Sequence, residues 1–450
     1  MNSPSNQTFK MLAVASLISG LAACGGSTNV TTLPDSKGAV VSSYIAKAVV
    51  TLDINDDGIC QPTEPQVVSD MQGRYTFPGL GLHMVCSDGG YNTSTNLAVV
   101  GQLKAPAGSA AVTPLSTLVM ALAQTTPGQA PSATATAAAQ AQLETQLGLP
   151  AGSISLDPVA AIATQPKIEQ INASVQVLLQ TVASSVSAFA GVQAPATGAS
   201  TSEKASYATA LNAVFSNAAA SVAATLTATG AAPVDLTTAS PANAAAFVQS
   251  VVATTVSNVQ SQPTAIAALQ AAAPTSADAN ITTLSPTNAA AFVASNVATV
   301  VQSVAQSNGT ADAIAAAETQ AQSNVTIVNA VESVVTAAPA LFVTVGGEAP
   351  VSSSAAISAL AEVVLPSSSV VANTSVTVDT TQLNSSLTAA AAAAAPNATI
   401  NVAAITTEVA TEVSTPPAAP APVDIAAAPT PVVAPLPTPI VVTGSVTGGI

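Results

Sequence analysis

The 450-residue chain is long enough for two or three domains, yet charged residues make up 6% of it, aromatics 2%, and tryptophan is absent. Its 49% apolar content is mostly alanine and valine, whose side chains bury little area each, which predicts thin helical packing with close backbones. The formal net charge is −15, and the 246 residues after Lys204 hold eleven acids and no lysine or arginine; that half cannot neutralise phosphates, which excludes nucleic-acid binding and electrostatic attachment to anionic membranes.

Residues 1–24 read as a targeting segment. Lys10 gives the positive flank and Met11–Leu17 the apolar run, too short and interrupted to span a bilayer. Leu21-Ala22-Ala23-Cys24 resembles the lipobox of bacterial lipoproteins, which implies acylation of Cys24 and a lipid-anchored mature protein. An ordinary cleaved signal with a chance cysteine is the alternative. Gly25 after Cys24, under the lipoprotein sorting rule, points to the outer membrane, in either a periplasmic or a surface-facing orientation. Residues 25–37 are polar and read as a tether.

From Gly38 the pattern alternates. Val50, Leu52 and Ile54 are expected on one face of a strand, with Val49, Thr51 and Asp53 on the other. That strand runs into Asp53-x-Asn55-x-Asp57-Gly58, with Glu64 closing the spacing of the twelve-residue calcium loop. Such a loop would take its oxygens from Asp53, Asn55, Asp57, the Ile59 carbonyl and Glu64, with Gly58 making the sharp turn. An Asx-rich turn between strands is the bland reading. A true EF-hand would flank the loop with helices, whereas here a strand enters and Pro62 and Pro65 bracket the exit.

Arg74-Tyr75-Thr76-Phe77 alternates again, and Gly79, Gly81, Gly89 and Gly90 punctuate the next stretch as turns. The expectation for residues 38–112 is therefore a small antiparallel β-sandwich. The run D-x-N-x-D-G-x5-E-P, followed by Ser69-Asp70-x-x-Gly73-x-Tyr75-x-Phe77, resembles the B-type repeats and carboxypeptidase-regulatory-like sandwiches of bacterial surface proteins. Gly101-x-Leu103-x-Ala105-Pro106 and Val112-Thr113-Pro114-Leu115 are similar to a segment common in large exported proteins. The resemblance covers roughly residues 40–165 and implies a non-catalytic, calcium-stiffened extracellular module. Cys60 departs from it, standing where such loops keep an aliphatic residue.

With Cys24 assigned to lipid, Cys60 and Cys86 remain. In an oxidising compartment such a pair forms a disulfide, worth about 3 kcal/mol in the chain-entropy picture; two free buried thiols are the alternative. No CxxC spacing exists, and His83 is the single histidine, expected in a surface turn.

Beyond Thr113 the period becomes helical, and residues 113–365 read as an Ala-rich helical bundle. Thr113-Pro114 and Asp157-Pro158 are cap-plus-proline starts, and Ser200-x-x-Glu203 is a capping box. Helices are expected over about 132–147, 166–190 and 201–229. Ile168, Ile171, Val175, Leu178, Val182, Val186 and Phe189 would share one face of the second. LTTASPANAAAFV at 236–248 returns 45 residues later as ITTLSPTNAAAFV at 281–293, each copy capped by serine, started by proline and followed by valines at helical spacing. This internal duplication (236–260 and 281–305) suggests paired helices, with Phe247 and Phe292 in the core. One more helix is expected over 311–338, short strand and helix segments over 366–414, and a disordered Pro-rich tail over 415–450.

The fold class expected is thus α+β. No Gly-x-Ser-x-Gly elbow, phosphate loop or histidine pair is present. Glu408 and Glu412, one turn apart, read as a solvated face. The leading expectation is a non-enzymatic, calcium-stabilised surface or periplasmic lipoprotein with an adhesive, scaffolding or envelope-associated role. It would meet the membrane through its anchor and a protein or envelope component as partner. The other expectation is a periplasmic ligand-binding lipoprotein using a groove in the helical region.

Overall fold

The computed structural model describes residues 33–124, 129–192, 199–228, 234–273 and 280–322, with scattered positions at 195 and between 328 and 403. The lipobox, the tether as far as residue 32, the greater part of the 366–414 segments and the Pro-rich tail lie outside the described residues. The architecture is α+β: strands between residues 36 and 112, then helices.

Nine strands are formed among the described residues: β1 (Ser36–Val40), β2 (Ile45–Ala46), β3 (Val49–Asp53), β4 (Gln66–Val68), β5 (Arg74–Phe77), β6 (Met84–Asp88), β7 (Tyr91–Asn92), β8 (Leu103–Ala105) and β9 (Ala111–Val112). They make sheets of order β4-β3-β6-β8, β5-β1-β9 and β2-β7. The arrangement is sandwich-like, and its pairing is antiparallel except for β1 with β9, which run parallel. These two strands are joined through the whole intervening sheet region, and a connection that long permits parallel pairing.

Strand β3 is covered on both faces. Val50 and Leu52 are buried on one side, while Thr51 and Asp53 are buried on the other. Ile54 does not continue the first face; the strand ends at Asp53 and Ile54 is exposed. The second face is closed by α1 (Pro114–Ala123), whose Met120 packs with Met84, Cys86 and Cys60. Capping fixes where α1 starts: the Thr113 side chain accepts from the Ser116 amide and Ser116 reciprocates, with Pro114 in the first turn. The Ser116 hydroxyl also donates to the Lys104 carbonyl at 2.7 Å, which ties the helix start to β8.

The following helices are α2 (Ala133–Gln146), α3 (Pro158–Ala161), α4 (Pro166–Phe189), α5 (Thr201–Thr227), α6 (Pro241–Ser261), α7 (Pro263–Ala272), α8 (Pro286–Ala305) and α9 (Ala311–Gln322). Ser132, Asp157, Ser200, Ser240 and Ser285 cap as their sequence contexts require, and Ser200 with Glu203 forms the full box. Helix α7 starts at a second proline straight after α6 and carries no cap bond of its own.

Helix α4 is the axis of the helical part. Its expected apolar face is buried, but so are Asn172, Ser174, Gln176, Thr181, Ser185 and Ser187 on the other sides. The duplicated copies, α6 and α8, pack directly on each other and α8 packs on α4. Phe247 and Phe292 both lie in the core. Phe292 meets Phe189 and Phe342 edge to face, and the three rings form a cluster with centroids 5.3–6.1 Å apart. One apolar core runs without a break from Val40, Val50 and Leu52 of the sheets to Val297 and Val301 of α8. Among the described residues no single helix is long and apolar enough to cross a membrane.

Candidate metal centre at the Asp53–Glu64 loop

The loop begins where β3 runs out of partners. Asp53 is fully buried, with Oδ1 accepting from the Asp57 amide (3.3 Å) and Oδ2 from the Gly58 amide (2.8 Å). Asn55 Oδ1 also accepts from the Asp57 amide (3.1 Å). Asp57 Oδ1 accepts from the Ile59 amide (2.8 Å), and its Oδ2 from the side chains of Asn55 (3.1 Å) and Gln61 (2.7 Å). These bonds fold the loop into successive Asx turns. Gly58 has φ +78°, and a Cβ there would come within 2.7 Å of Gln124 Nε2 and 3.1 Å of the Gln129 carbonyl. Only glycine fits both the backbone and the space.

Glu64 closes the loop. It is 8% exposed; Oε2 accepts from the Gln61 amide at 2.8 Å, and Oε1 is buried with no hydrogen-bond partner. Desolvation raises its pKa, and the negative charges of Asp53 and Asp57 push the same way, against the backbone amides of Gln61 and Asn55, which hold it down. All three carboxylates therefore share one electrostatic neighbourhood. Lys104 also belongs to it. Its ammonium donates to the Gly58 carbonyl at 3.3 Å; burial lowers its pKa, and Asp53 and Asp57 raise it.

The disulfide Cys60–Cys86 joins the loop to β6, with Cα atoms 6.1 Å apart. Cys86 stands opposite Thr51 of β3 and Lys104 of β8 in the sheet register, so the bridge fastens the loop across the strand it leaves. On the outer side, Asp56 takes a positive φ of 55° and pairs with His83 Nδ1 at 3.0 Å. His83 is thus a surface partner of the loop.

The donor set is made of hard oxygens, and the buried Glu64 Oε1 lacks a donor, which suits a divalent cation such as calcium. The remaining loop oxygens are engaged by amides and by Gln61, and among the described residues no three His, Cys, Asp or Glu side chains converge as a coordination group. Asp53, Asn55, Asp57 and Glu64 thus lie along one loop, with the Ile59 backbone between the last two, but their carboxylates do not converge on one point. Cys24 lies outside the described residues. Sequence reading missed Lys104; its only mark is a charged residue between buried Leu103 and Ala105.

No family model, curated protein or solved structure matches the chain.

Proposed function

We propose that the chain is a non-enzymatic, lipid-anchored envelope protein whose sheet region is stiffened by calcium at the Asp53–Glu64 loop. The observation that carries this reading is the buried, donor-less Glu64 oxygen beside Asp53 and Asp57 at a glycine turn. Asp53, Asn55, Asp57, the Ile59 carbonyl and Glu64 would hold the ion. Its charge would offset the mutual repulsion of three carboxylates in a partly desolvated place.

The disulfide supports an exported, oxidising location, and the lipobox-like segment supports anchoring at the outer membrane. The likeness to B-type repeats of surface proteins belongs to the same reading, as does an adhesive or scaffolding role with a protein or envelope partner. The sequence has no Gly-x-Ser-x-Gly elbow, phosphate loop or histidine pair.

The test is thermal melting of the full chain in excess calcium and in excess chelator. At calcium a hundredfold above Kd the gain should be about 2.7 kcal/mol, and Asp53→Ala with Glu64→Ala should abolish it. Equal melting in calcium and chelator would refute the reading.

A further inference from the structure

Two more carboxylates sit far from the loop, where the sheet region meets the helices. Glu169 of α4 and Glu318 of α9 are 1% and 0% exposed. Both are held by one tight bend after β1. The Ser43 amide donates to Glu169 Oε1 (3.1 Å), while the Ser43 hydroxyl donates to Glu318 Oε2 (3.2 Å) and the Ser42 hydroxyl to Glu318 Oε1 (3.4 Å). Ser43 takes a positive φ of 45° to present both donors, a strained conformation that the two acceptors over-determine. From β7, Asn92 Nδ2 adds a bond to Glu318 Oε2 at 3.1 Å, and its own Oδ1 is fixed by the amides of Ser94 and Thr95.

Among the described residues no cation answers these two charges; the ion pairs there are His83 with Asp56 and Lys167 with Asp235. The ionisable groups on the elements around the pair come from both sides. The sheet side supplies Tyr44, whose hydroxyl donates to Asp157 (3.1 Å), Arg74, whose charge reaches Tyr44, and Lys47, which lies over the Tyr91 ring. The helices supply Asp157, which adds its negative field to Glu169, Lys167, already paired, and Asp312 in the first turn of α9. Helix α8, packed on α9, has no charged residue.

Asn172 closes the other side of Glu169. Asn172 is fully buried; its Nδ2 donates to Glu169 Oε2 at 3.2 Å, and its Oδ1 has no partner. Two adjacent buried carboxylates without a counter-charge are costly when both are ionised.

We propose that Glu169 and Glu318 form a proton-operated latch, which holds α9 against the sheet region while protonated and lets it go when both ionise. Burial is the main cause that pushes Glu169 up to about 8 and Glu318 up to about 7, and Glu318 adds repulsion to Glu169. Both folded values stand above those of the unfolded chain. The stabilisation is therefore full below the ordinary carboxylate range and is lost as pH rises through about 7 and then about 8. The latch tightens in acid and loosens in alkali, opposite to a salt bridge.

Hydrogen exchange of the full chain, corrected for intrinsic rates, tests this at about pH 5.5 and 9 with α6 as internal reference. The wild type should lose protection in residues 311–322 by more than tenfold at the higher pH relative to α6. Glu318→Gln alone, and with Glu169→Gln, should flatten that difference, because the amide imitates the protonated acid. Unchanged wild-type protection of α9 overturns the latch, whatever the variants do. A loss that persists in the double variant also overturns it and assigns the titration to another desolvated acid, Asp88 first.

Discussion

Glu64 is the residue on which the loop turns, because its two carboxylate oxygens have unequal fates: one takes the Gln61 amide and the other is buried without a donor. Glu64→Gln keeps the first bond and removes the charge. The expected outcome is an ion-free melt close to wild type and no calcium response, read by calorimetric scanning. Gly58→Ala forces a side chain into a left-handed turn against Gln124 and the Gln129 carbonyl. It should cost about 1–3 kcal/mol in denaturant unfolding, with or without calcium. Lys104→Met removes the partly buried ammonium that bonds the Gly58 carbonyl. The ion-free protein should lose about 1–3 kcal/mol, and calcium should bind severalfold more tightly, because a cation that competes for Asp53 and Asp57 is gone. The loop residues were legible in the sequence because a short contiguous spacing defines them. Lys104 was not, since the pairing of β6 with β8 carries it there from a distant stretch.

Among the elements, β3 and its loop are held by the bridge from Cys60 to Cys86. Replacing both cysteines by serine should lower unfolding free energy by about 3 kcal/mol and weaken calcium binding, since the free loop has more conformations to lose. The duplicated helices show what a repeat leaves unsaid. The Ser-Pro starts of α6 and α8 followed from the sequence, because caps are local. The different surroundings of the two phenylalanines did not. Phe292 meets Phe189 and Phe342, whereas Phe247 lies nearer the edge at 6% exposed. Phe292→Ala should therefore cost about 3–5 kcal/mol in chemical unfolding, and Phe247→Ala clearly less.

At the scale of the whole molecule, sheet and helices share one apolar core, and α4 is buried on all sides. Composition predicted thin alanine and valine packing, and α4 shows how such a core accommodates polar residues. Ser174 and Thr181 are buried at its centre, and the Ser174 hydroxyl donates back to the Gln170 carbonyl at 2.6 Å. Helical periodicity marked one face of α4, but not that other elements would cover the rest. The junction of Ser42, Ser43, Asn92, Glu169 and Glu318 was equally invisible, for it gathers residues up to 276 apart in sequence. Central to the function proposed is that the loop takes up one hard divalent ion. Isothermal titration of calcium into the chelator-stripped full chain tests that most directly. One ion per chain, absent in Glu64→Gln, is the expected result; no binding heat at millimolar calcium, together with an unchanged melt, would contradict it.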